Sequence, residues 1–257
     1  FREIAYLATI GKPDLAVIVN IGTMHIEHLG SMEGILRAKL EILEGMPAEG
    51  KIILNGDDSL LWNQRNVLNR DVVYFGVQNP ECTVLGQEVS QGKETLSFLA
   101  KRDSLQIPMQ LPLEGAHYVP DALAAVAVGL EMGVLPEKIQ SALKAFENME
   151  GRQEIYEKNG FTIISDCYNA NPQAMREALQ ILANSDAKKK LAILGDMGEL
   201  GELTAQAHRE AGELTGKLGI DAVVAIGPKS ADLYRAATGE AYHFLTIEEA
   251  MPTVHKL

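Results

Sequence analysis

The sequence predicts an α/β protein of two domains, each with a parallel sheet covered by helices. Short apolar runs alternate with amphipathic helical patterns along most of the chain, the order typical of parallel strands joined by helices. The 257 residues are 46% hydrophobic and 23% charged, which is enough apolar material for two medium-sized cores. A polar, glycine-containing stretch, "ENMEGRQEIYEKNG", separates the two series of apolar runs. We therefore predict domains over 1–148 and 149–257.

The first domain begins with strands and helices in alternation. Strands are predicted over 15–20, 51–55 and 72–77, and helices over 31–44, 59–68, 120–132 and 136–147. Pro136 stands at a favourable first helical position. Between residues 82 and 113 the chain changes to short segments such as "TVLGQEV", "ETLSFLAK" and "LQIPMQLPL". These segments, separated by Gly and Asp, indicate a small antiparallel side sheet.

The second domain repeats the α/β alternation. Strands are predicted over 162–165, 191–194, 222–226 and 242–245, and helices over 172–183, 205–218, 230–237 and from 247 onward. This order predicts a doubly wound sheet, in which ligands collect at the carboxyl ends of the strands. Those positions hold Asp166, Gly195 with Asp196, and Gly227.

The composition excludes several classes of function. The formal net charge is −12 and basic residues form no cluster, so binding to nucleic acid or anionic lipid is not expected. Cys82 and Cys167 lie far apart, which provides no disulfide framework and favours the reducing cytoplasm. The longest apolar run is far below the ~20 residues of a membrane-spanning helix, so no membrane insertion is expected. The chain starts at Phe1, and we expect it to be a fragment.

Lys39 is an unexpected residue in the predicted helix 31–44. Its apolar stripe consists of Ile35, Leu36, Leu40, Ile42 and Leu43, and the opposite face of Glu33, Arg37, Glu41 and Glu44. Helical spacing places Lys39 on the apolar stripe. One interpretation is that its stem follows the apolar surface and its ammonium reaches water. Alternatively, Lys39 faces the end of strand 15–20 beside His25, a residue type that binds metals. A carbamate on the amine would then supply the oxygen ligands that Mg²⁺ prefers.

The segment "SDCYNANPQAM" is the second candidate site. Asp166 ends a strand, Asn171 can cap the helix that begins at Pro172, and Tyr168 and Asn169 lie between them. A strand end followed by a helix N-terminus favours anion binding, although an ordinary connection with nothing bound gives the same pattern. In "MEGRQE", the forked donors of an arginine suit a phosphate, but most arginines are simply solvated. That arginine is Arg152.

Three further blocks each allow two interpretations. His117, in "LEGAHYVPDALAAV", is either a site residue or part of a helix-capping loop. The carboxylates of "NGDDS" could serve a ligand or only cap the next helix. In "LGDMGELGE", Asp196 and Glu199 are either site residues or turn residues.

In order and content these blocks resemble one family. They are, in chain order, "NIGTMHIEHLGSMEGILRAKLEI", "NGDD", "GAH", "MEGR", "DCYNANPQAM" and "LGDMGELG". Together they are similar to the successive blocks of the Mur ligases, and the resemblance runs from about Ile4 to the C-terminus.

The resemblance implies a larger enzyme. Mur ligases have a domain for the UDP end of the substrate, a central ATP-binding domain and a C-terminal Rossmann-like domain. We expect 1–148 to be an incomplete central domain and 149–257 a truncated C-terminal domain. No G-x-x-x-x-G-K-[ST] pattern occurs in the sequence, and in the family that P-loop and a metal-binding glutamate precede the segment matching Phe1. We therefore expect the chain alone to lack ligase activity.

The resemblance also implies site residues. His25 matches a histidine that binds Mg²⁺, and Lys39 matches a lysine that is carbamylated to support the metal site. Lys39, Arg152 and Asp166 are the residues expected to carry catalysis. An ionised aspartate only accepts hydrogen bonds, and Asp121 stands where the family usually has an asparagine, which both donates and accepts. The residues matched to the ATP site are His117, Asp121, Arg152, Asp166, Tyr168, Asn169 and Asn171.

The implied reaction is an ATP-dependent amide synthesis in peptidoglycan precursor assembly. "YNANP" and "LGDMGELG" favour a member that joins D-alanyl-D-alanine to UDP-MurNAc-tripeptide through an acyl phosphate. The expected cofactors are ATP and Mg²⁺, and the expected enzyme is a cytoplasmic monomer. The alternatives are another Mur-type amino-acid ligase or, for the fragment by itself, a non-catalytic nucleotide-binding module.

Overall fold

A computed structural model describes residues 1–92 and 95–257. The chain divides into two compact units. The first unit comprises Phe1–Gly22 with Leu29–Glu147, and the second comprises Thr23–His28 with Asn148–Leu257. Among the described residues, each helix is too short or too polar to cross a membrane.

The elements include the predicted strands and helices and add one helix before and one helix after the first strand. Up to residue 147 they are α1 (Glu3–Gly11), β1 (Leu15–Ile18), α2 (Ile26–Leu29), α3 (Met32–Leu40), β2 (Lys51–Asn55), α4 (Ser59–Trp62), β3 (Val72–Gly76), β4 (Val84–Gln91), β5 (Leu96–Arg102), β6 (Leu105–Leu111), α5 (Tyr118–Glu131) and α6 (Pro136–Lys144). Two 3-10 segments, Glu41–Gly45 and Asn63–Asn66, continue α3 and α4. The predicted helices 31–44 and 59–68 therefore each end as tighter 3-10 turns.

The sheet of the first unit has the strand order β1-β2-β3-β4-β5-β6. The pairs from β1 to β4 are parallel, whereas β4 with β5 and β5 with β6 are antiparallel. This confirms the parallel sheet and its antiparallel extension, and β4 joins the two into one sheet. Glu94, at the start of the predicted "ETLSFLAK" segment, lies outside the described residues. The core packs β3, β5 and β6 against α5, with Phe75, Leu96 and Leu123 fully buried.

Glu41 was predicted on the solvent face of its helix, and that prediction is wrong. Glu41 is buried, and its carboxylate accepts hydrogen bonds from the backbone N–H of Arg2 (2.8 Å to each oxygen) and of Ala5 (3.4 Å). These are the first N–H groups of α1, so Glu41 caps a helix that the sequence analysis did not predict. Close packing supports the contact, because a Cβ at Gly45 would lie 2.1 Å from the Ala8 carbonyl oxygen.

Glu131, at the end of α5, has a buried side chain that pairs with two cations. Its side chain is 4% exposed, with Lys51 Nζ 2.7 Å from one carboxylate oxygen and Arg102 Nη2 2.6 Å from the other. Burial raises the pKa of Glu131, but the hydrogen bonds and charges of Lys51 and Arg102 outweigh it and hold the pKa below its usual range. The cluster joins β2, β5 and α5.

We expect Glu131→Gln to lower the free energy of unfolding of the first unit by about 2 kcal/mol at pH 7, because two cations lose their shared partner. Since the folded pKa lies below the unfolded value, the stabilisation is present above the unfolded pKa and lost as pH falls through the folded pKa. Denaturant unfolding between pH 3 and pH 7 should therefore show a weaker acid dependence in Glu131→Gln. The exposed Glu147→Gln is the control. Equal stability of both variants across this range would contradict the account.

The second unit contains a parallel sheet and a separate hairpin. Its elements are β7 (Glu154–Lys158), β8 (Phe161–Ser165), α7 (Pro172–Asn184), β9 (Leu191–Gly195), α8 (Thr204–Lys217), β10 (Ala222–Ile226), α9 (Ala231–Ala236), β11 (Glu240–Phe244) and α10 (Ile247–Val254). The parallel sheet has the order β11-β10-β9. Its core includes Leu179 of α7, Leu233 of α9, and Met197 in the loop after β9.

The strand over 162–165 was expected in the parallel sheet, but among the described residues β8 pairs antiparallel with β7. The turn between them consists of Asn159 and Gly160, both with positive φ (53° and 82°). Asn-Gly is the preferred sequence of a type I′ hairpin turn, whose twist matches that of the flanking strands. The polar composition of this stretch predicts a domain boundary instead.

Candidate functional site

Lys39 is a residue of α3, and its amine reaches the carboxyl end of β1. Its Nζ donates a hydrogen bond to the backbone oxygen of Asn20 at 2.7 Å, and the side chain is half-buried. Burial lowers the pKa of Lys39, partly opposed by the negative charge of Asp58. The amine is therefore held against the strand end instead of extending freely into water. The carbamate on Lys39 stays a prediction.

The carboxylates of "NGDDS" bind the protein's own backbone. Asp58 accepts hydrogen bonds from the N–H of Leu60 (3.0 Å) and of Leu61 (3.2 Å), which caps α4. Its other oxygen accepts from the N–H of Ile21 at 2.7 Å. Because Ile21 follows Asn20, Asp58 fixes the loop that presents the Asn20 carbonyl to Lys39. Of the two earlier interpretations, helix capping describes Asp58.

Asp57 and Asn55 support the same edge of the sheet. Asp57 accepts from the consecutive N–H groups of residues 77–79 at 2.6, 3.0 and 2.8 Å, just after β3. The Asn55 Nδ2 donates to the Val19 carbonyl at 2.9 Å, which links the ends of β1 and β2. Asn55 is not among the predicted site residues, although it ends a predicted strand.

His25 belongs to the second unit, in the segment Thr23–His28. Its Nδ1 contacts a carboxylate oxygen of Glu199, and the Glu27 N–H donates to the Glu199 backbone oxygen at 3.2 Å. His25 and Glu199 both have positive φ, 62° and 57°. Glu199 therefore pairs with the histidine that the sequence analysis placed at a metal. Within 1–92 and 95–257, the His, Cys, Asp and Glu side chains do not gather in threes as metal ligands do.

The helix cap predicted in "SDCYNANPQAM" is confirmed. Asn171 Oδ1 accepts from the N–H of Gln173 and of Ala174, both at 3.0 Å, and Pro172 is the first residue of α7. Asn169 Oδ1 accepts from the N–H of Ala170 at 2.9 Å. The amide oxygens of both asparagines are thus used locally, which leaves their NH₂ groups as the donors for a ligand.

The structure brings Arg152 onto Tyr168, in the turn that leads into α7. The Arg152 guanidinium carbon lies 3.9 Å from the centroid of the Tyr168 ring. The backbone joins the two segments, since the Tyr168 N–H donates to the Gly151 oxygen at 3.1 Å. Asp166 lies between β8 and Tyr168, in the same turn. We call residues 151–152 and 166–171 the arginine corner.

Asp196 lies at the end of β9 and contributes to the fold. Its carboxylate accepts from the N–H and the hydroxyl of Ser230, both at 2.7 Å, and from the Lys229 N–H at 3.2 Å. Gly227 has φ 112°, and a Cβ there would lie 2.5 Å from the Asp196 carboxylate. Asp196 therefore fixes the turn between β10 and α9, which agrees with its interpretation as a turn residue.

His117 and Asp121 lie at the start of α5 in the first unit. His117 is the residue before the helix, and its ring centroid is 4.3 Å from that of Tyr118. Asp121 is exposed in the first turn. An aspartate near a helix N-terminus complements the helix dipole, so this position also has a structural explanation.

Comparison with known proteins identifies the family. The Mur ligase middle domain matches residues 2–129, and the Mur ligase, glutamate ligase domain matches residues 151–257. The chain therefore belongs to the Mur ligase family.

Individual relatives are more specific. The chain is 36% identical over 244 residues to the UDP-N-acetylmuramoyl-tripeptide--D-alanyl-D-alanine ligase of Bacillus subtilis, covering 94% of this chain and 51% of that protein. The same enzyme of Escherichia coli is 30% identical over 244 residues, covering 94% and 54%. The crystal structure of MurF from Acinetobacter baumannii superimposes with a TM-score of 0.88 at 31% identity, covering 98% and 55%. The chain thus spans about half the length of the curated relatives it matches.

Proposed function

We propose that the chain supplies the central and C-terminal parts of an ATP-dependent ligase that joins D-alanyl-D-alanine to UDP-MurNAc-tripeptide. Residues 1–148 are the central ATP-binding domain and 149–257 the Rossmann-like domain. The enzyme acts in the cytoplasm as a monomer. The observation that carries the proposal is the arginine corner, where two blocks of the family pattern meet in the turn that leads into α7. The names of the Bacillus subtilis and Escherichia coli relatives support the choice of substrates.

The arginine corner has the chemistry to hold a nucleotide. A guanidinium offers forked N–H donors to phosphate oxygens, and the positive end of the α7 dipole adds to the attraction. Asp166 is an acceptor suited to ribose hydroxyls. By binding the phosphates, Arg152 offsets negative charge as the terminal phosphoryl group moves to the substrate carboxylate. The resulting acyl phosphate is then attacked by the amine of D-alanyl-D-alanine.

The nucleotide assignments at α5 concern the adenine. His117 and Asp121 are proposed near the adenine from the family pattern. An ionised Asp121 accepts a hydrogen bond from the adenine amino group but donates none. Tyr168, Asn169 and Asn171 are proposed as parts of the nucleotide-facing corner, with the asparagine NH₂ groups as donors to the nucleotide.

From the family pattern, His25 is proposed to bind Mg²⁺ and Lys39 to support the metal site as a carbamate. Lys39 fits this role only as a carbamate, because an ammonium repels a cation whereas a carbamate supplies anionic oxygens. Burial lowers the pKa of Lys39, which favours the neutral amine that reacts with carbon dioxide. The nitrogen lone pair forms a bond to the carbon, and the nitrogen loses a proton to solvent. When bound, Mg²⁺ supplies charge stabilisation at the phosphates.

The experiment that tests the proposed function is a single-omission assay on the full-length protein. Phosphate release from ATP should require both UDP-MurNAc-tripeptide and D-alanyl-D-alanine, and mass spectrometry should show the amide product. The 257-residue chain alone should release no phosphate under the same conditions. Turnover with another amino acid but not with D-alanyl-D-alanine would assign the protein to a different Mur-type reaction. Substrate-dependent turnover by the chain alone would contradict the expected need for the P-loop.

A further inference from the structure

We propose that Tyr168 is a positioning residue that acts on the nucleotide through Arg152. The inference rests on the proposed function of Arg152 at the phosphates. It deepens that function, because it gives Tyr168 a role separate from direct contact with ATP.

The contact between the two side chains is built from the backbone. Gly151 and Tyr168 are joined by a hydrogen bond of 3.1 Å from the Tyr168 N–H to the Gly151 oxygen. The Arg152 N–H donates to the Met149 oxygen at 3.1 Å, which fixes the start of the arginine side chain. The guanidinium then lies over the Tyr168 ring at 3.9 Å from its centroid. Both residues therefore start from fixed backbone positions.

A ring is a better support than a carboxylate for an arginine that must bind phosphate. A carboxylate would neutralise the guanidinium and occupy its forked donors, whereas an aromatic face leaves the charge in place and competes weakly for the N–H groups. Within the part of the chain that the structure describes, Arg152 forms no ion pair. The Tyr168 ring is the contact that restricts a long, flexible side chain before the phosphate arrives.

Two features of Tyr168 fit this role. Its side chain is 68% exposed, so it adds little to the core of the second unit. The contact uses the ring face and not the hydroxyl, which predicts that phenylalanine at this position keeps the function. A leucine fills similar space without a π face.

The test measures the Kd of ADP and the ATP KM of the full-length enzyme in a double-mutant design. Tyr168→Leu should raise both about two- to fivefold, the range of an exposed cation–π contact, while Tyr168→Phe keeps the wild-type values. In an Arg152→Ala background, Tyr168→Leu should have no further effect. The NMR signals of the Arg152 side chain should show a ring-current shift in the wild type and Tyr168→Phe, and lose it in Tyr168→Leu.

The outcomes separate the two proposals. If Arg152→Ala weakens ADP binding but Tyr168→Leu does not, the positioning role is wrong and the proposed function stands. If Tyr168→Leu has its full effect in the Arg152→Ala background, Tyr168 contacts the nucleotide directly, which also overturns the inference. If Arg152→Ala leaves ADP binding unchanged, the phosphate role of Arg152 is wrong, and the inference fails with it. Thermal unfolding of each variant checks that the second unit remains folded.

Discussion

Replacing Lys39 with alanine in the full-length enzyme should lower kcat by about 10²- to 10³-fold, the usual effect of losing one preorganised electrostatic group. The reason lies in the position of Lys39, a half-buried residue whose amine donates to the carbonyl of Asn20 just after β1. A snorkelling lysine would cost little activity when replaced. Steady-state phosphate release in bicarbonate-containing buffer measures the effect.

Chemical rescue distinguishes a carbamate from a structural lysine. Acetate should restore part of the activity of Lys39→Ala, because its carboxylate can occupy the space of the carbamate oxygens. Lys39→Glu should keep some activity, since it carries a carboxylate on a shorter stem, whereas Lys39→Arg should not. Arg37→Ala, on the exposed side of the same helix, is the matched control. Full activity of Lys39→Ala without added carboxylate would exclude the carbamate role.

Replacing Arg152 with alanine should raise the ATP KM about 10- to 100-fold, which corresponds to losing a charge-assisted contact with phosphate. Asp166→Ala should act in the same direction through the ribose. Turnover at saturating ATP should fall less than kcat/KM, because the main loss is nucleotide positioning. The control is Arg235→Ala, an exposed arginine of the same unit that pairs with Asp232. Unchanged kcat and ATP KM in both Arg152→Ala and Asp166→Ala would contradict the assigned roles.

Features set by neighbouring residues were predictable from the sequence. The alternation of strands and helices, the parallel sheet and the Asn171 cap all follow from local periodicity or from a side chain and its next turn. The place of Lys39 on its helix was also readable, because helical spacing decides which face a residue occupies. The hairpin of β7 and β8 was also predictable, because Asn159-Gly160 is a typical hairpin turn sequence.

Features set by distant parts of the chain were not predictable. The helical pattern predicts that Glu41 faces solvent. In the structure, α1 brings the N–H groups of Arg2 and Ala5 to its carboxylate. The contact of Arg152 with Tyr168 depends on the backbone hydrogen bond from the Tyr168 N–H to the Gly151 oxygen. No sequence pattern indicates this hydrogen bond. Such contacts depend on which segments meet in the fold. Hydrophobic periodicity indicates only the secondary structure and the buried face of a single segment.

Lys39 is proposed to serve as a carbamate, and ¹³C NMR of the full-length protein equilibrated with ¹³C-bicarbonate detects that group itself. We expect a carbamate carbon signal in the wild type that is absent from Lys39→Ala and retained in the control Arg37→Ala. The Lys39→Glu variant should lack the signal and keep part of its activity. A wild-type enzyme that is fully active while Lys39 remains an unmodified amine would contradict the claim.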